Sequence, residues 1–437
     1  MKRFVMILAG IIVAVVLMGT SVLTGVVIGS SGLVAPFWGS GTTGEPTEFR
    51  VFWQAWNLVQ QNFIDQDALD PETLTYGAIR GMVGALGDSG HTAFLTPEER
   101  EQQQTNLSGR FTGIGATVGV RDNLPVIVAP IDGYPAEAAG VRPGDIIMRV
   151  DGEDVTTLPL NDVVAKIRGP EGTEVVLSLM RPEENRTLEI SIVRSEINVP
   201  AATWAMIPES SVALVRLSQF SANAGPSIVA AVEEAKTAGA ESLIVDVRNN
   251  PGGLLTQAVA VTSQFLVEGN VLLEEDAQGN RISYAVEPGG VATDLPLVVL
   301  INGGSASSAE ILAGAIQDYD RGTLVGETTF GTGTVLQPYM LADGSALLLG
   351  TKQWLTPEGR LIRKQGIEPD NVVDVPLETP LLIPAELAQM GVEELWSSGD
   401  RQLLTALELL GVEIPAGVDL AEAAPEVSPE PTGEPTE

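Results

Sequence analysis

The sequence predicts a multidomain protein that joins an α+β part to an α/β core. Apolar, strand-like runs alternate with helical segments from residue 205 to 375, which is typical of parallel strands covered by helices. Short β-branched runs separated by glycine-rich turns fill residues 108–194 and indicate a small β domain. Amphipathic helices are predicted ahead of that domain, within residues 48–107.

Composition excludes several classes of function. The formal charge of −33, from 57 acidic and 24 basic residues, argues against nucleic acid and anionic lipid surfaces as partners. The chain has no cysteine, so disulfides, iron–sulfur clusters and thiolate zinc sites are excluded. His91 is the only histidine, which excludes a histidine-rich metal site. Sites built only from carboxylates stay open, but the sequence has no D-x-D-x-D loop of the EF-hand type. We predict no metal and no cofactor.

The first 36 residues are predicted to be a transmembrane anchor or a signal. Lys2 and Arg3 precede a stretch without charge. As a helix, residues 4–28 would reach about 37 Å at roughly 1.5 Å per residue, enough to cross a bilayer. The positive flank favours an N-terminus inside the cell and a following part that is extracytoplasmic. A cleaved signal peptide is the alternative, although the stretch is longer than the usual apolar region of such a peptide.

The sequence predicts a linker, a C-terminal helical segment and a disordered tail. Residues 37–47, PFWGSGTTGEP, are predicted to be a linker. In the helical part that follows, Trp53, Trp56 and Phe63 are expected to pack in a core because they recur at helical spacing. A helical segment is predicted for residues 376–420, and the acidic, proline-rich residues 421–437 are predicted to be a disordered tail.

Residues 136–155 read AEAAGVRPGDIIMRVDGEDV, which is similar to the pattern A-x-x-A-G-L-x-x-G-D-x-I-x-x-V-N/D-G of the PDZ fold. On this motif, residues 108–194 resemble a PDZ domain. GIGA resembles the loop whose backbone N–H groups receive the terminal carboxylate of a peptide. The resemblance implies that a strand edge beside this loop adds an extended peptide and holds its C-terminus. The alternative is that the glycines only form turns. The implied peptide-binding residues are Gly113, Ile114, Gly115 and Ala116.

The stretch INGGSASSAE, residues 301–310, places three serines between a buried strand, LPLVVLI, and a helix. A serine at such a turn stands above the sheet, beside the free N–H groups of the helix start. This is a good position for a nucleophile, but the hydroxyl needs a base. A second glycine-rich turn, RNNPGGLLTQAV at 248–259, also joins a strand to a helix, so its N–H groups can converge on an anion.

Four blocks resemble, in order, those of the C-terminal processing peptidases, also called tail-specific proteases. They are VDVRNNPGGLL, NGGSASSAEILAGAIQD, LVGETTFGTGTV and WLTPEGRLIRKQGIEPD. The earlier stretch GAIRGMVGALGDSGHTAFLTPEE is similar to the N-terminal block of that family, so the resemblance covers about residues 48–375. It implies an extracytoplasmic serine peptidase with a ClpP/crotonase-like α/β core at 195–375. The PDZ domain would recognise the C-terminus of a polypeptide substrate.

Family members read S-A-S-A-S-E around the nucleophile, and the middle serine laid on SASSAE is Ser307. The resemblance therefore implies that Ser307 is the nucleophile. It also implies that the oxyanion donors are the N–H of Ser308 and that of Gly252 or Gly253. The alternatives are that Ser307 only caps the following helix and that the two glycines only provide turn geometry.

The expected base departs from the family pattern. The usual block is T-F-G-K-G-x-V-Q, in which the lysine is the base and the glutamine orients it. This chain reads TFGTGTVLQ, with Thr332 and Leu336 at those two positions and Gln337 one residue late. Threonine does not act as a base near neutral pH. Lys352 and Lys364 lie in the same predicted core, but a lysine would need burial to lower its pKa from about 10.4.

We predict that His91 replaces the missing lysine, because its reference pKa is about 6.5. GDSGHT resembles the D-x-H-T element of the tricorn-like peptidases, in which a histidine serves the nucleophile and a later carboxylate orients it. That resemblance points to Glu368, in GIEPD, as the orienting carboxylate. Asp88 is a second candidate, although it is expected to cap the turn. The alternative is that His91 is only a turn residue.

Together these observations predict a membrane-anchored, extracytoplasmic serine endopeptidase of the C-terminal processing type. Its partners would be polypeptide substrates, recruited through their C-terminal tails, and a membrane that holds the N-terminal helix. The competing hypothesis is a catalytically inactive relative that binds C-termini through the PDZ groove and acts as an adaptor. Thr332 and Leu336 support that second hypothesis.

Overall fold

The computed structural model describes residues 48–88, 92–121, 123–131, 133–376 and 379–413. The predicted anchor, linker and acidic tail, and also His91, therefore lie outside the described residues. Within the described ranges no helix has both the length and the apolar character needed to cross a membrane. The chain divides into two compact units, residues 1–75 and 76–437.

The described part of the first unit is helical. It contains α1 (Phe49–Asn62), a short 3-10 helix (Gln66–Ala68) and the start of α2 (Pro71–Gly84). Trp53 and Phe63 are 45% and 47% exposed, so the expectation that they pack in a core is wrong. The ring of Trp53 instead contacts neighbouring aromatic rings of the same helix, with centroids 5.3 Å from Phe52 and 6.3 Å from Trp56.

The second unit opens with the rest of α2 and a sheet strand. Tyr76 and Val83 of α2 pack against Phe94 in a small core. A helix starts in the stretch LTPEE, where Pro97 is its first residue and Thr96 caps it. The strand that carries Phe94 is β1 (Ala93–Leu95), and the helix that starts at Pro97 is α3 (Pro97–Ser108).

The predicted β domain is present as an antiparallel sheet in the order β3-β4-β5-β7-β8, with β6 paired to β5. Its core includes Ile127, Val163 and Leu177, all fully buried. Two flanking strands, β2 and β9, pair with each other where the chain enters and leaves the domain. The elements are β2 (Arg110–Gly113), β3 (Ala116–Arg121), β4 (Leu124–Pro130), α4 (Pro135–Ala138), β5 (Ile146–Val150), β6 (Glu153–Asp154), α5 (Leu160–Ile167), β7 (Glu174–Arg181), β8 (Arg186–Val193) and β9 (Ser195–Asn198).

The predicted α/β core is also present, built on a six-stranded sheet in the order β10-β11-β12-β15-β16-β19. Only β10 runs antiparallel to its neighbour. All residues of β12 and β15 are buried, as expected for parallel strands covered on both faces. The elements are β10 (Ala202–Met206), β11 (Val212–Leu217), α6 (Ala224–Thr237), β12 (Ser242–Asp246), α7 (Leu255–Thr262), β15 (Leu297–Ile301), α8 (Ser308–Asp318), β16 (Thr323–Gly326) and β19 (Asn371–Val372).

A second sheet joins distant parts of the unit. Its order is β1-β18-β13-β14, and β17 also pairs with β18. Ala93 of β1 pairs with Leu348 of β18, which ties the segment after His91 to the second half of the chain. The additional strands are β13 (Asn270–Glu275), β14 (Arg281–Ala285), β17 (Thr334–Met340) and β18 (Ala346–Leu355).

C-terminal helices cover the other face of the six-stranded sheet. Trp396 and Leu403 pack there against Leu300 and Val325. The buried Arg248, just after β12, pairs with Asp400 at the start of the last helix, at 2.7 Å. Helices are thus found within the predicted helical segment, namely α9 (Pro384–Leu387), α10 (Val392–Trp396) and α11 (Arg401–Leu409).

The topology brings the two glycine- and serine-rich turns together. Strands β12 and β15 are parallel neighbours, with Asp246 opposite Leu300. Their carboxyl ends therefore meet at one edge of the sheet, where ligands bind in open α/β folds. The turns that follow these strands carry the predicted oxyanion glycines and Ser307.

Candidate active site

Ser307 occupies a strained turn between β15 and α8. Its backbone has φ 54° and ψ −113°, a conformation that costs a residue with a side chain about 1–3 kcal/mol. The backbone N–H of Ser307 donates to Glu310 Oε2 at 2.8 Å, and that of Ala306 donates to the carbonyl of Asn250 at 2.9 Å. Neighbouring groups thus hold the turn in place, and Ser307 itself stays half-buried and accessible.

A buried carboxylate connects this turn with the segment that departs from the family pattern. Glu310 Oε2 accepts both the Ser307 N–H and the Thr332 N–H, the latter at 2.9 Å. Its other oxygen accepts the Gly331 N–H and the Thr329 hydroxyl, each at 2.6 Å. Glu310 is fully buried and Thr332 is 7% exposed. Thr332, where the resemblance leads us to expect a lysine, is therefore linked to Ser307 through a single side chain.

Glu310 was not among the predicted site residues, although a signal for it exists. Ser307 and Glu310 have the S-x-x-E spacing of a capping box, in which the glutamate reaches back to the first N–H of the turn. That pattern predicts the contact with Ser307. It does not predict the contacts with Thr329, Gly331 and Thr332, which come from a later segment of the chain.

The two predicted oxyanion glycines have different surroundings. Gly252 lies against the serine turn: a Cβ there would be 2.7 Å from Ser307 Cβ and 2.9 Å from Ser308 N. However, the Gly252 N–H already donates to Asn250 Oδ1 at 2.8 Å. No acceptor for the Gly253 N–H is found among the described residues. Ser308 is the first residue of α8, so its N–H has no acceptor within the helix. The geometry therefore favours Gly253 over Gly252 as the partner of Ser308.

Neither Lys352 nor Lys364 is directed to Ser307 by a contact in the structure. The Lys352 ammonium pairs with the buried carboxylate of Glu274, which also accepts the Tyr284 hydroxyl at 3.0 Å. Burial, together with that carboxylate, raises the pKa of Tyr284. Lys364 is exposed, and its backbone N–H donates to the carbonyl of Gly331 at 2.8 Å.

His91 lies outside the described residues, but the residues on either side of the gap are well anchored. Asp88 accepts a hydrogen bond from Arg363 and another from the Thr92 hydroxyl, the latter at 2.8 Å. The Gly350 N–H donates to that same hydroxyl at 3.2 Å. A Cβ on Gly350 would lie 3.3 Å from Asp88 Oδ2 and 3.5 Å from Thr334 Cβ. The segment that carries His91 thus begins and ends beside the first residue of β17.

The contacts of Glu368 do not lead to the serine turn. Its side chain is exposed, and its carbonyl accepts a hydrogen bond from Gln317 Nε2 at 2.9 Å. Gln317 is ten residues after Ser307 on α8, about 15 Å along the axis at roughly 1.5 Å per residue. Glu368 as the orienting carboxylate stays a prediction without support from these contacts.

The four predicted peptide-binding residues line one groove of the β domain. The groove lies between β3 and α5, and its volume is about 180 Å³. Arg168 also lines the groove, with its guanidinium carbon 4.8 Å from the centroid of the Phe111 ring. Burial lowers the pKa of Arg168. The lining is otherwise apolar or backbone, which suits an extended peptide. The lining residues also include Val118, Val164 and Ile167.

Two family models match the chain. That of peptidase family S41 matches residues 211–373, and that of the PDZ domain matches residues 126–181. The carboxyl-terminal-processing protease of Synechocystis sp. is 36% identical over 384 residues, which cover 83% of this chain and 87% of that protein. The chain belongs to peptidase family S41. This S41 peptidase is thus a member of a family of serine-type hydrolases, and its β domain is a PDZ domain.

A second relative agrees with that assignment. The S41 peptidase is 32% identical to the carboxy-terminal processing protease CtpA of Bacillus subtilis, over 92% of this chain and 82% of that protein. Among solved structures, the photosystem II D1 C-terminal processing protease is 30% identical. That match covers 76% of this chain and 95% of the other, with a TM-score of 0.41.

Proposed function

We propose that this S41 peptidase is an endopeptidase of the C-terminal processing type with Ser307 as its nucleophile. The observation that carries the proposal is the turn of Ser307, which Glu310 holds in a strained conformation beside the N–H of Ser308 and the turn of Gly252. A turn that serves only to start a helix does not need this strain, because most residues that cap a helix have extended backbone.

In the proposed mechanism the Ser307 hydroxyl attacks the scissile carbonyl and His91 accepts its proton. The tetrahedral oxyanion is stabilised by the N–H groups of Ser308 and Gly253. His91 then donates the proton to the leaving amine. In the second half of the reaction His91 accepts a proton from water, which attacks the carbonyl of the acyl-enzyme, and Ser307 is released with its proton restored. The anchoring of Asp88 and Thr92 beside Thr334 supports His91, because it brings both ends of its segment to the neighbourhood of Thr332.

The PDZ groove would recruit the substrate through its C-terminal tail. Backbone N–H groups of residues 113–116 would receive the terminal carboxylate, and the apolar lining would receive the last side chain. The N-terminal 36 residues would anchor the protein in a membrane, with the peptidase and the PDZ domain extracytoplasmic. The uncharged stretch after Lys2 and Arg3 supports this location. Alkaline carbonate should then extract a variant that lacks residues 1–36 but not the full chain.

Labelling with a fluorophosphonate, which reacts with activated serines, tests the proposal. The full chain should be labelled, and both Ser307→Ala and His91→Ala should abolish the label. Label that is lost in Ser307→Ala but kept in His91→Ala would retain the peptidase and reject His91 as the base. Lys352→Met and Lys364→Met would then identify the lysine that replaces it.

The second candidate function is that of an inactive, peptide-binding adaptor. It is favoured by Thr332, which is buried at the position of the family's base, and by Leu336 at the position of the orienting glutamine. An adaptor would bind tail peptides and remain unlabelled, so a binding measurement on the same sample distinguishes it from a misfolded preparation.

A further inference from the structure

Strand β17 has a free edge. It pairs with β18 from Thr334 opposite Gln353 to Met340 opposite Ala346. The other side of β18 is occupied by β1 and β13. In the part of the chain that the structure describes, no strand pairs with the outer edge of β17. Such an edge presents unpaired N–H and C=O groups to any extended chain that approaches it.

The register shows which backbone groups point outward. The Leu341 N–H donates to the Ser345 carbonyl at 2.8 Å, which closes the hairpin between β17 and β18. In an antiparallel ladder hydrogen-bonded pairs alternate, so Tyr339 and Gln337 face β18. The groups of Leu336, Pro338 and Met340 therefore face outward. Pro338 fits this assignment, because proline is tolerated in a strand only where its missing N–H faces away from the ladder.

Three large apolar side chains of β17 are accessible. Leu336, Tyr339 and Met340 are 37%, 43% and 55% exposed. The strand TVLQPYM has no charged residue, although the chain as a whole has a net charge of −33. An exposed, uncharged edge is an aggregation hazard that proteins usually remove with charges, so its presence indicates a partner. A neutral surface of this kind fits an extended, largely apolar polypeptide.

The edge starts at the candidate active site. Thr334, the first residue of β17, is two residues after Thr332, whose N–H shares the Glu310 carboxylate with the N–H of Ser307. At about 3.3 Å per residue, the strand extends roughly 20 Å from that point. A polypeptide paired with this edge would therefore run directly into the Ser307 turn.

We propose that the outer edge of β17 binds the polypeptide substrate as an added β-strand on one side of the scissile bond. The N–H groups of Leu336 and Met340 and the outward carbonyls pair with the substrate backbone. The exposed side chains contact its apolar residues. This inference rests on the proposed peptidase function. It adds a second substrate-binding element, separate from the PDZ groove. Because backbone pairing does not depend on side chains, this element would hold the cleaved region of the substrate extended without sequence specificity.

N-methyl scanning of a tail peptide substrate tests the backbone pairing. Each peptide of the series has one methylated amide, at successive positions on both sides of the scissile bond. We expect KM to rise about five-fold, the effect of one lost hydrogen bond, at every second position on one side, with little change between them. A uniform rise, or no rise beyond the PDZ-bound terminus, would overturn the proposal.

Photo-crosslinking locates the contact independently of turnover. The Ser307→Ala chain would have benzoylphenylalanine in place of Met340 and, as the matched control, in place of Ile282. Ile282 is 52% exposed on β14 of the same sheet. We expect peptide capture from position 340 and not from position 282. Equal capture from both positions, no capture, or capture of a second copy of the chain would contradict a substrate edge.

The two experiments separate this inference from the proposed function. A chain that is neither labelled by the fluorophosphonate nor able to cleave tail peptides would refute the peptidase, whatever position 340 captures. A chain that cleaves such peptides normally, without alternation in KM and without capture at position 340, would refute only the role of the β17 edge.

Discussion

Glu310 accepts the backbone N–H of Ser307 at 2.8 Å and that of Thr332 at 2.9 Å, through the same carboxylate oxygen. Two segments more than twenty residues apart are thereby held in a fixed relation inside the protein. The carboxylate accepts only neutral donors here, since its other contacts are the Gly331 N–H and the Thr329 hydroxyl. Its charge stabilises all four hydrogen bonds at once.

Glu310→Gln should impair catalysis more than substrate binding. The amide replaces one acceptor oxygen with a donor, so at least one buried N–H loses its partner, which costs about 1–3 kcal/mol of unfolding free energy. A displaced Ser307 turn should lower kcat for a tail peptide by about 10²-fold with little change in KM. Glu408→Gln, on an exposed helix face, is the control. Unaltered kcat in Glu310→Gln would show that the carboxylate does not position Ser307.

Thr332→Lys should restore the base of the family pattern. Because Thr332 is tied to the Ser307 turn through Glu310, a lysine there extends from a backbone already held near the hydroxyl. In a His91→Ala background we expect fluorophosphonate labelling to rise by about 10²-fold, the contribution of a general base. Thr328→Lys, at an exposed position of the same segment, should leave labelling unchanged. If both lysine variants behave alike, position 332 is not directed at Ser307.

Gly252→Ala should abolish labelling, because the added Cβ would lie 2.7 Å from Ser307 Cβ. Gly239→Ala is a matched control: its φ of 99° is close to the 90° of Gly252, but nothing lies within 4 Å of the added atom. Both variants should lose about 1–2 kcal/mol of unfolding free energy from backbone strain. Only Gly252→Ala should lose more than that, together with the label. Equal losses in chemical denaturation and retained labelling would reject the close approach of the two turns.

Asp145→Asn should destabilise the PDZ domain in a pH-dependent way. Burial raises the pKa of Asp145, but the hydrogen bonds from Arg181 and from the Arg142 N–H outweigh it and hold the pKa below 3.8. A lowered folded pKa contributes stability above the unfolded value, and that contribution is lost as the pH falls through the folded value. The difference in urea midpoint between wild type and variant should therefore be constant above about pH 5 and shrink below pH 3.8. A difference that is independent of pH down to 2 would contradict this.

Arg248→Met should loosen the packing of the C-terminal helices against the six-stranded sheet. Burial alone would lower the pKa of Arg248, but Asp246 and Asp400 raise it, so the arginine stays charged between two buried carboxylates. Removing it leaves the buried Asp400 carboxylate without its ion-pair partner, while Asp246 keeps its pair with Arg216, and the expected cost is about 3–5 kcal/mol. Limited proteolysis should then cut first between residues 379 and 413. Arg401→Met, next to Asp400 but exposed, should keep the wild-type pattern. Identical digestion of the two variants would show that Arg248 does not hold the C-terminal helices in place.

The parts of the structure that the sequence predicts are those that depend on local residue patterns. Apolar runs of β12 and β15, alternating with helices, predict the parallel core because a buried strand and an amphipathic helix each have their own period. The turn INGGSASSAE predicts Ser307 at a strand end for the same reason. The expectation for Trp53 and Phe63 failed because helical spacing predicts an apolar face and does not say what covers it.

The rest was decided by contacts between residues far apart in the chain. Sequence left Gly252 and Gly253 equivalent, and only the contact with Asn250 distinguishes their N–H groups. It offered Lys352 as a base, and the fold pairs that lysine with Glu274 on a neighbouring strand. The free edge of β17 likewise depends on which strand lies on each side of β18. Local periodicity determines the elements and their order, whereas pairing, burial and convergence arise only when the chain folds back on itself.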